Sequence, residues 1–189
     1  VVDLAFLPAL AVVLARPIVA AGNRRNYMMV AALVVLWIAN LATHLDALGA
    51  LPGWRRRGSL AAIDVVTFYM LVMAGRVFPM FTRNATGVET VRNVPALDTL
   101  SIASMALLTA LSAFAPDTPV TTAAAALAFV SAVLRAVHWG ARHSLRNPLL
   151  WILHAGYAWL CLGLALRAES GEPRQSQLLS ERLQARSPL

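Results

Sequence analysis

The residues equipped for chemistry are few, and they sit in apolar surroundings. Histidine occurs four times, as His44, His138, His143 and His154, and cysteine once, as Cys161. Asp64, Arg76 and Asp98 lie within or at the edge of long apolar runs. Imidazole suits haem iron, copper and zinc, and thiolate suits Cu(I). The spacing is no standard ligand motif, since His138 and His143 are five residues apart. His154 and Cys161, seven apart, share a face if their segment is helical. Two readings stand: metal ligands, or histidines bonded to neighbours near helix ends.

Partners for the charges follow from depth. Asp64 and Arg76 are twelve residues apart, hence about 18 Å along a helix axis. They are too far apart to neutralise each other. If the runs before and after residues 49–58 form an antiparallel hairpin, His44 and Asp64 come to similar depth, and Asp3 belongs to the same end. A carboxylate accepting from His44 would fix its tautomer, as around a ligating histidine, or simply join two helices. At the other end Arg76 faces Asp98 across a link, and His138 and His154 share a level. The densest signal is Gly75-Arg76-Val77-Phe78-Pro79-Met80-Phe81-Thr82-Arg83-Asn84. Arg76 and Arg83 share a face if the helix outlasts Pro79. There they suit bidentate contact with carboxylates, or snorkel to headgroups.

These residues need scaffolding, and the composition says which kind. Of 189 residues, 59% are hydrophobic and 13% charged, about half the charged share of soluble globular chains. Such a sequence cannot make a polar surface, so the expected surroundings are a lipid bilayer. Six apolar runs are legible: 4–21, 27–48, 60–81, 99–115, 120–137 and 149–166. Each approaches the roughly 20 residues that span a bilayer, and lipid requires backbone groups to be satisfied within the segment. The expected fold is an all-α polytopic transmembrane bundle over residues 1–166, followed by a polar, disordered tail at 167–189.

All sixteen basic residues are arginine, and the net charge is +7. They fall in short links between apolar runs, where the positive-inside rule expects them, which argues against nucleic acid. Arg24, Arg25, Arg83, Arg92, Arg142 and Arg146 share one side, which short-loop counting makes cytoplasmic. Arg55, Arg56 and Arg57 and the tail arginines take the other. No signal peptide is visible, and the opening Val1 suggests a fragment whose N-terminus is missing. One cysteine excludes an intrachain disulfide framework. The sequence points to no soluble protein partner.

Three segments in order carry a resemblance: Asp3-Leu4-Ala5-Phe6-Leu7-Pro8, Asn23-Arg24-Arg25-Asn26, and the Gly75–Asn84 stretch. With Ala39-Asn40 ahead of His44-Leu45, and Pro148-Leu149-Leu150-Trp151 ahead of His154, the chain resembles the NnrS family from Val1 to about Arg167. The resemblance implies a bacterial inner-membrane protein that contains haem and copper. It also implies a role with nitric oxide or nitrosylated species, in nitric oxide metabolism or nitrosative-stress tolerance. Full members have about twelve spans. The family's early tryptophan–histidine–alanine–histidine helix and its C-terminal histidine helix are absent here, so the chain reads as the middle of the family sequence. Carried over position by position, His44, His138 and His154 become candidate haem or copper ligands. Arg76 and Arg83 become candidate propionate contacts, and Asp64 an acceptor behind a ligand.

Three functions compete. The first is the haem and copper protein, as catalyst, sink, sensor or protector of other metal centres. The second is a secondary transporter or proton-coupled permease using Asp64, Arg76 and Asp98, since intramembrane charges mark ion pathways. No matching pair of interrupted helices supports it. The third is a structural half-bundle of a larger assembly.

Overall fold

A computed structural model describes residues 2–23, 26–88, 90–144 and 147–169, without the side chains of Val2 and Asp3. Arg24, Arg25, Arg146, the Asp3 side chain and the expected tail from residue 170 lie outside the described residues. Those described form helices joined by short links: α1 (Val2–Ala20), α2 (Tyr27–Ala47), α3 (Trp54–Thr86), α4 (Pro95–Phe114), α5 (Pro119–Val137), α6 (Ala141–Ser144) and α7 (Pro148–Glu169). Five are long and apolar enough to cross a membrane, and α1 adds a shorter apolar stretch at Leu4–Ala20. The protein is a polytopic helical bundle, as its composition requires.

Local chemistry sets the helix ends. Pro95, Pro119 and Pro148 open their helices, where a missing N–H costs nothing. Thr118 caps α5 by accepting from the Thr121 amide. Asp46 caps α3 across the preceding turn, accepting from the Trp54 amide at 3.1 Å and from Arg55 Nε at 3.3 Å. That cap and the left-handed Gly53 start α3 six residues before the expected run, so Arg55, Arg56 and Arg57 are helical. Gly87, also left-handed, ends α3 by donating to the Arg83 carbonyl. The helix therefore outlasts Pro79, and Arg76 and Arg83 do share a face. Likewise α7 runs on to Glu169, which places Arg167 in the helix rather than in the tail.

The core lies among α3, α4, α5 and α7. Leu71, Met105, Leu108, Ala128 and Ala132 are fully buried there. The alanines of α5 let neighbouring backbones approach closely, the usual packing device in lipid. The remaining pair hangs outside this core. α2 packs on α3 and α1 packs on α2, where Trp37 Nε1 donates to the Leu4 carbonyl at 3.0 Å. At Gly58 an added Cβ would lie 2.7 Å from the Ala39 carbonyl oxygen, so a glycine is what lets α2 and α3 approach. Large apolar side chains such as Val13, Ile63, Leu149 and Trp159 point outward, which suits lipid and not water.

The links define two faces. The first carries the α2–α3 and α4–α5 links and the end of α7; the second carries the α3–α4 link and the segment with α6.

Candidate functional site

The second face holds the larger cluster. Arg135, two residues from the end of α5, is 2% exposed. Its Nε donates to Asp98 Oδ1 at 2.7 Å and its Nη1 to Ser101 Oγ at 3.3 Å. The guanidinium also lies over the Trp139 ring, 5.0 Å from its centroid. Gly75 makes room for this arrangement, because a Cβ there would collide with the Arg135 guanidinium. Asn93 clamps the layer from the α3–α4 link. It donates to the Gly75 carbonyl at 2.6 Å and accepts from Trp139 Nε1 at 2.9 Å. Phe78, Trp139 and Tyr157 stack tilted or edge-on with centroids 4.9–5.5 Å apart, spacings at which aromatic pairs attract.

His154 stands at the edge of this box. Its ring meets Phe78 edge-on at 5.3 Å, and its Nε2 lies 3.4 Å from Thr82 Oγ1. Thr82 is fully buried, on the Gly75–Asn84 stretch. His138 caps α5 on the same face, with Nδ1 3.0 Å from the Leu134 carbonyl. Because a carbonyl only accepts, Nδ1 is the donor in this contact. His44 lies in the last turn of α2, on the opposite face. The three candidate ligands therefore do not converge. Among the described residues no three His, Cys, Asp or Glu side chains gather as a metal group.

The first face has a smaller centre, around Asp64. The expected partner was His44, and the partners in the structure come from α4 and α7 instead. Ser112 Oγ donates to Asp64 Oδ2, and Arg167 Nη2 donates to Ser112 Oγ at 2.9 Å while lying 3.8 Å from Asp64 Oδ2. The reason is rotational: Asp64 sits on the inward face of α3 with Leu71 and Ala74, turned towards the core. The expected Arg76–Asp98 pair is replaced in the same way by Arg135–Asp98. Arg76 is half-buried and Arg83 exposed, and among the described residues neither makes an ion pair.

Arg135, Arg167, Asn93 and Trp139 were not among the sequence candidates. The signal for Arg135 was present, since a charge inside the alanine-rich run 120–137 is itself anomalous in lipid. Asn93 gave none, being one polar residue in a polar link. No curated protein and no solved structure matches the chain. A sequence model of the family described as "NnrS protein" matches residues 1–183. That match takes in both centres and every described helix, and the chain, a multi-pass membrane protein, belongs to the NnrS family.

Proposed function

We propose that this protein binds haem in the bacterial inner membrane and acts in nitric oxide metabolism or nitrosative-stress tolerance. Family membership supports the reading, and the observation that carries it to a site is the position of His154. This imidazole meets Phe78 edge-on, and Phe78, with Leu153 and Tyr157, lines an apolar recess of about 430 Å³ between α3 and α7. Of the candidate histidines His154 is the one packed against a residue of that recess, so it is the residue that would hold a haem iron. Haem iron supplies a coordination position for a diatomic ligand. The chain's own part is to orient the ring through Thr82 and Phe78 and to keep water out with the aromatic box. Arg76 and Arg83, with no ion-pair partner among the described residues, are the cations suited to propionates.

For copper the described residues do not fit a site of three ligands, and that part of the reading rests on the family alone. The permease reading has less behind it, because Asp64 and Asp98 both face arginines and are neutralised in place.

The test is a visible spectrum and metal analysis of the protein purified in detergent. A Soret band is expected, shifted or lost in His154→Ala and retained in His44→Ala. Absence of the band, or a band that His154→Ala leaves unmoved, overturns the assignment.

A further inference from the structure

The first face carries a polar pocket of about 370 Å³ between the α2–α3 and α4–α5 links. Gly53, Arg56 and Arg57 line one side, and Phe114, Asp117 and Thr118 the other. Two guanidiniums and one carboxylate leave a positive charge over. Arg56 gives both Nη groups to the two oxygens of Asp117, at 2.8 and 3.0 Å. Arg57 is half-buried, lies over the Trp54 ring at 5.6 Å and makes no ion pair among the described residues. A carboxylate's partners are donors, so any further contact of Asp117 leaves that surplus in place. The backbone adds to it, since the starts of α3 and α5 both border the pocket and carry partial positive charge. The end of α4 brings the opposite sign, but its Ala115 carbonyl is taken up by the Thr118 and Thr121 hydroxyls at 3.2 and 2.5 Å.

Such a pocket suits an anion, and its setting says which kind. Phe114 is 73% exposed at the rim, and Leu48 and Val120 are exposed in the flanking segments. Apolar side chains bared at the ends of spanning helices lie against the hydrocarbon boundary, so the pocket opens at headgroup depth. Trp54, partly buried, is an amphipathic ring of the kind found at that depth. A free anion makes no use of the apolar rim, whereas a lipid lays its chains along it. A zwitterionic head fits less well. Its ammonium would face Arg57, while both oxygens of Asp117 already accept from Arg56.

We propose that this pocket binds the phosphate of an anionic phospholipid, held by Arg57 and the first turns of α3 and α5, with the acyl chains running past Phe114. The assignment is independent of the haem reading, because it lies on the other face and uses no residue around His154.

The experiment is native mass spectrometry of the whole chain in detergent, titrated with phosphatidylglycerol or with phosphatidylethanolamine of the same acyl chains. One saturable phosphatidylglycerol adduct is expected, about tenfold tighter than the phosphatidylethanolamine adduct. Arg57→Gln should weaken it about tenfold, through loss of one charged contact. Arg57→Lys should weaken it about threefold, since a point charge remains but the two-pronged guanidinium does not. Arg55→Gln, on the same face but outside the pocket, should leave it unchanged, with circular dichroism the same in every variant. Equal affinity for the two lipids, unchanged phosphatidylglycerol binding in a folded Arg57→Gln, or an equal loss in Arg55→Gln overturns the proposal. So does displacement of the adduct by inorganic phosphate at constant ionic strength, which would make the site one for the free ion.

Discussion

The two ends of the bundle carry the same three residue types in different arrangements. At the second face Arg135 binds Asp98 directly at 2.7 Å, and Ser101 takes a second N–H of the same guanidinium. At the first face a serine stands between the charges: Ser112 accepts from Arg167 and donates to Asp64, and the ions themselves are 3.8 Å apart. Arg135 is 2% exposed and Arg167 21%. The first arrangement is a packed joint, fixed by Gly75, Asn93 and Trp139 around it. The second is looser and opens on a recess. Between them the buried face of α4 is closed by Met105 and Leu108, with Leu71 of α3, all fully buried. Serines thus mark both ends of one helix face, and apolar side chains insulate the centres from each other. The difference teaches that one centre is closed in by its neighbours while the other borders an open recess.

The sharpest way to break this contrast is to remove Arg135. Arg135→Ala strands Asp98, uncovers Trp139 and leaves a void beside Gly75, and loss of one partner of a buried pair costs about 3–5 kcal/mol. Denaturant unfolding in mixed micelles should show a loss near the lower figure, because Asp98 keeps some exposure. A loss below about 1 kcal/mol would reduce the second face to an ordinary interfacial pair. Gly75→Ala comes next. Its Cβ enters the space of the guanidinium, and overpacking of this kind costs about 1–3 kcal/mol. The informative measurement is the double variant. With Arg135 already alanine the added methyl meets no guanidinium, so the two effects should couple by more than about 1 kcal/mol. Additivity would mean that Gly75 serves something else.

At the first face Ser112→Ala removes the hydroxyl that bridges the charges. One neutral hydrogen bond contributes about 1 kcal/mol and one to a charged group about 1.5–3, with more lost if Asp64 stays unsatisfied. Arg167 is near enough to close onto Asp64, so the expected loss is about 1–2 kcal/mol, smaller than for Arg135→Ala. An equal or greater loss would reverse the ranking of the two centres.

How much of this was legible in the sequence depends on what each feature obeys. Element type and number were legible, because lipid demands long apolar helices and the composition allows nothing else. Two layers of buried polar residues were legible too, from the depths of Asp64, Asp98 and the histidines. Pairing was not. Whether Asp64 turns to His44 or to Ser112 depends on the rotation of α3, and 3.6-residue periodicity is weak where apolar residues cover every face. Arg135 was overlooked for a related reason. Arginines in this chain explain themselves as link charges, and one within two residues of a helix end passes for another until its burial is known. The Gly75–Asn84 stretch was singled out by its arginines. Its structural content lies as much in Gly75 and Thr82, whose roles depend on α5 and α7, far away in sequence.

The smallest expected effect tests whether the comparison should include a third ion pair. Arg56 donates both Nη groups to Asp117 at 2.8 and 3.0 Å, the best bidentate geometry in the molecule among the described residues. By distance alone it would outrank Asp64–Arg167. Exposure argues the other way, since the side chains are 47% and 40% accessible. Water and salt screen such a pair, and exposed pairs contribute a median of about 0–1 kcal/mol. Arg56→Ala should therefore change stability by less than about 0.5 kcal/mol, and that small loss should shrink further at high salt. If it matches Ser112→Ala, the link joining α3 to the α4–α5 turn is a structural clamp, and geometry outweighs burial at this face. If it does not, burial is what separates the two interior centres from the surface pair, as their exposures of 2–23% against 40–47% require.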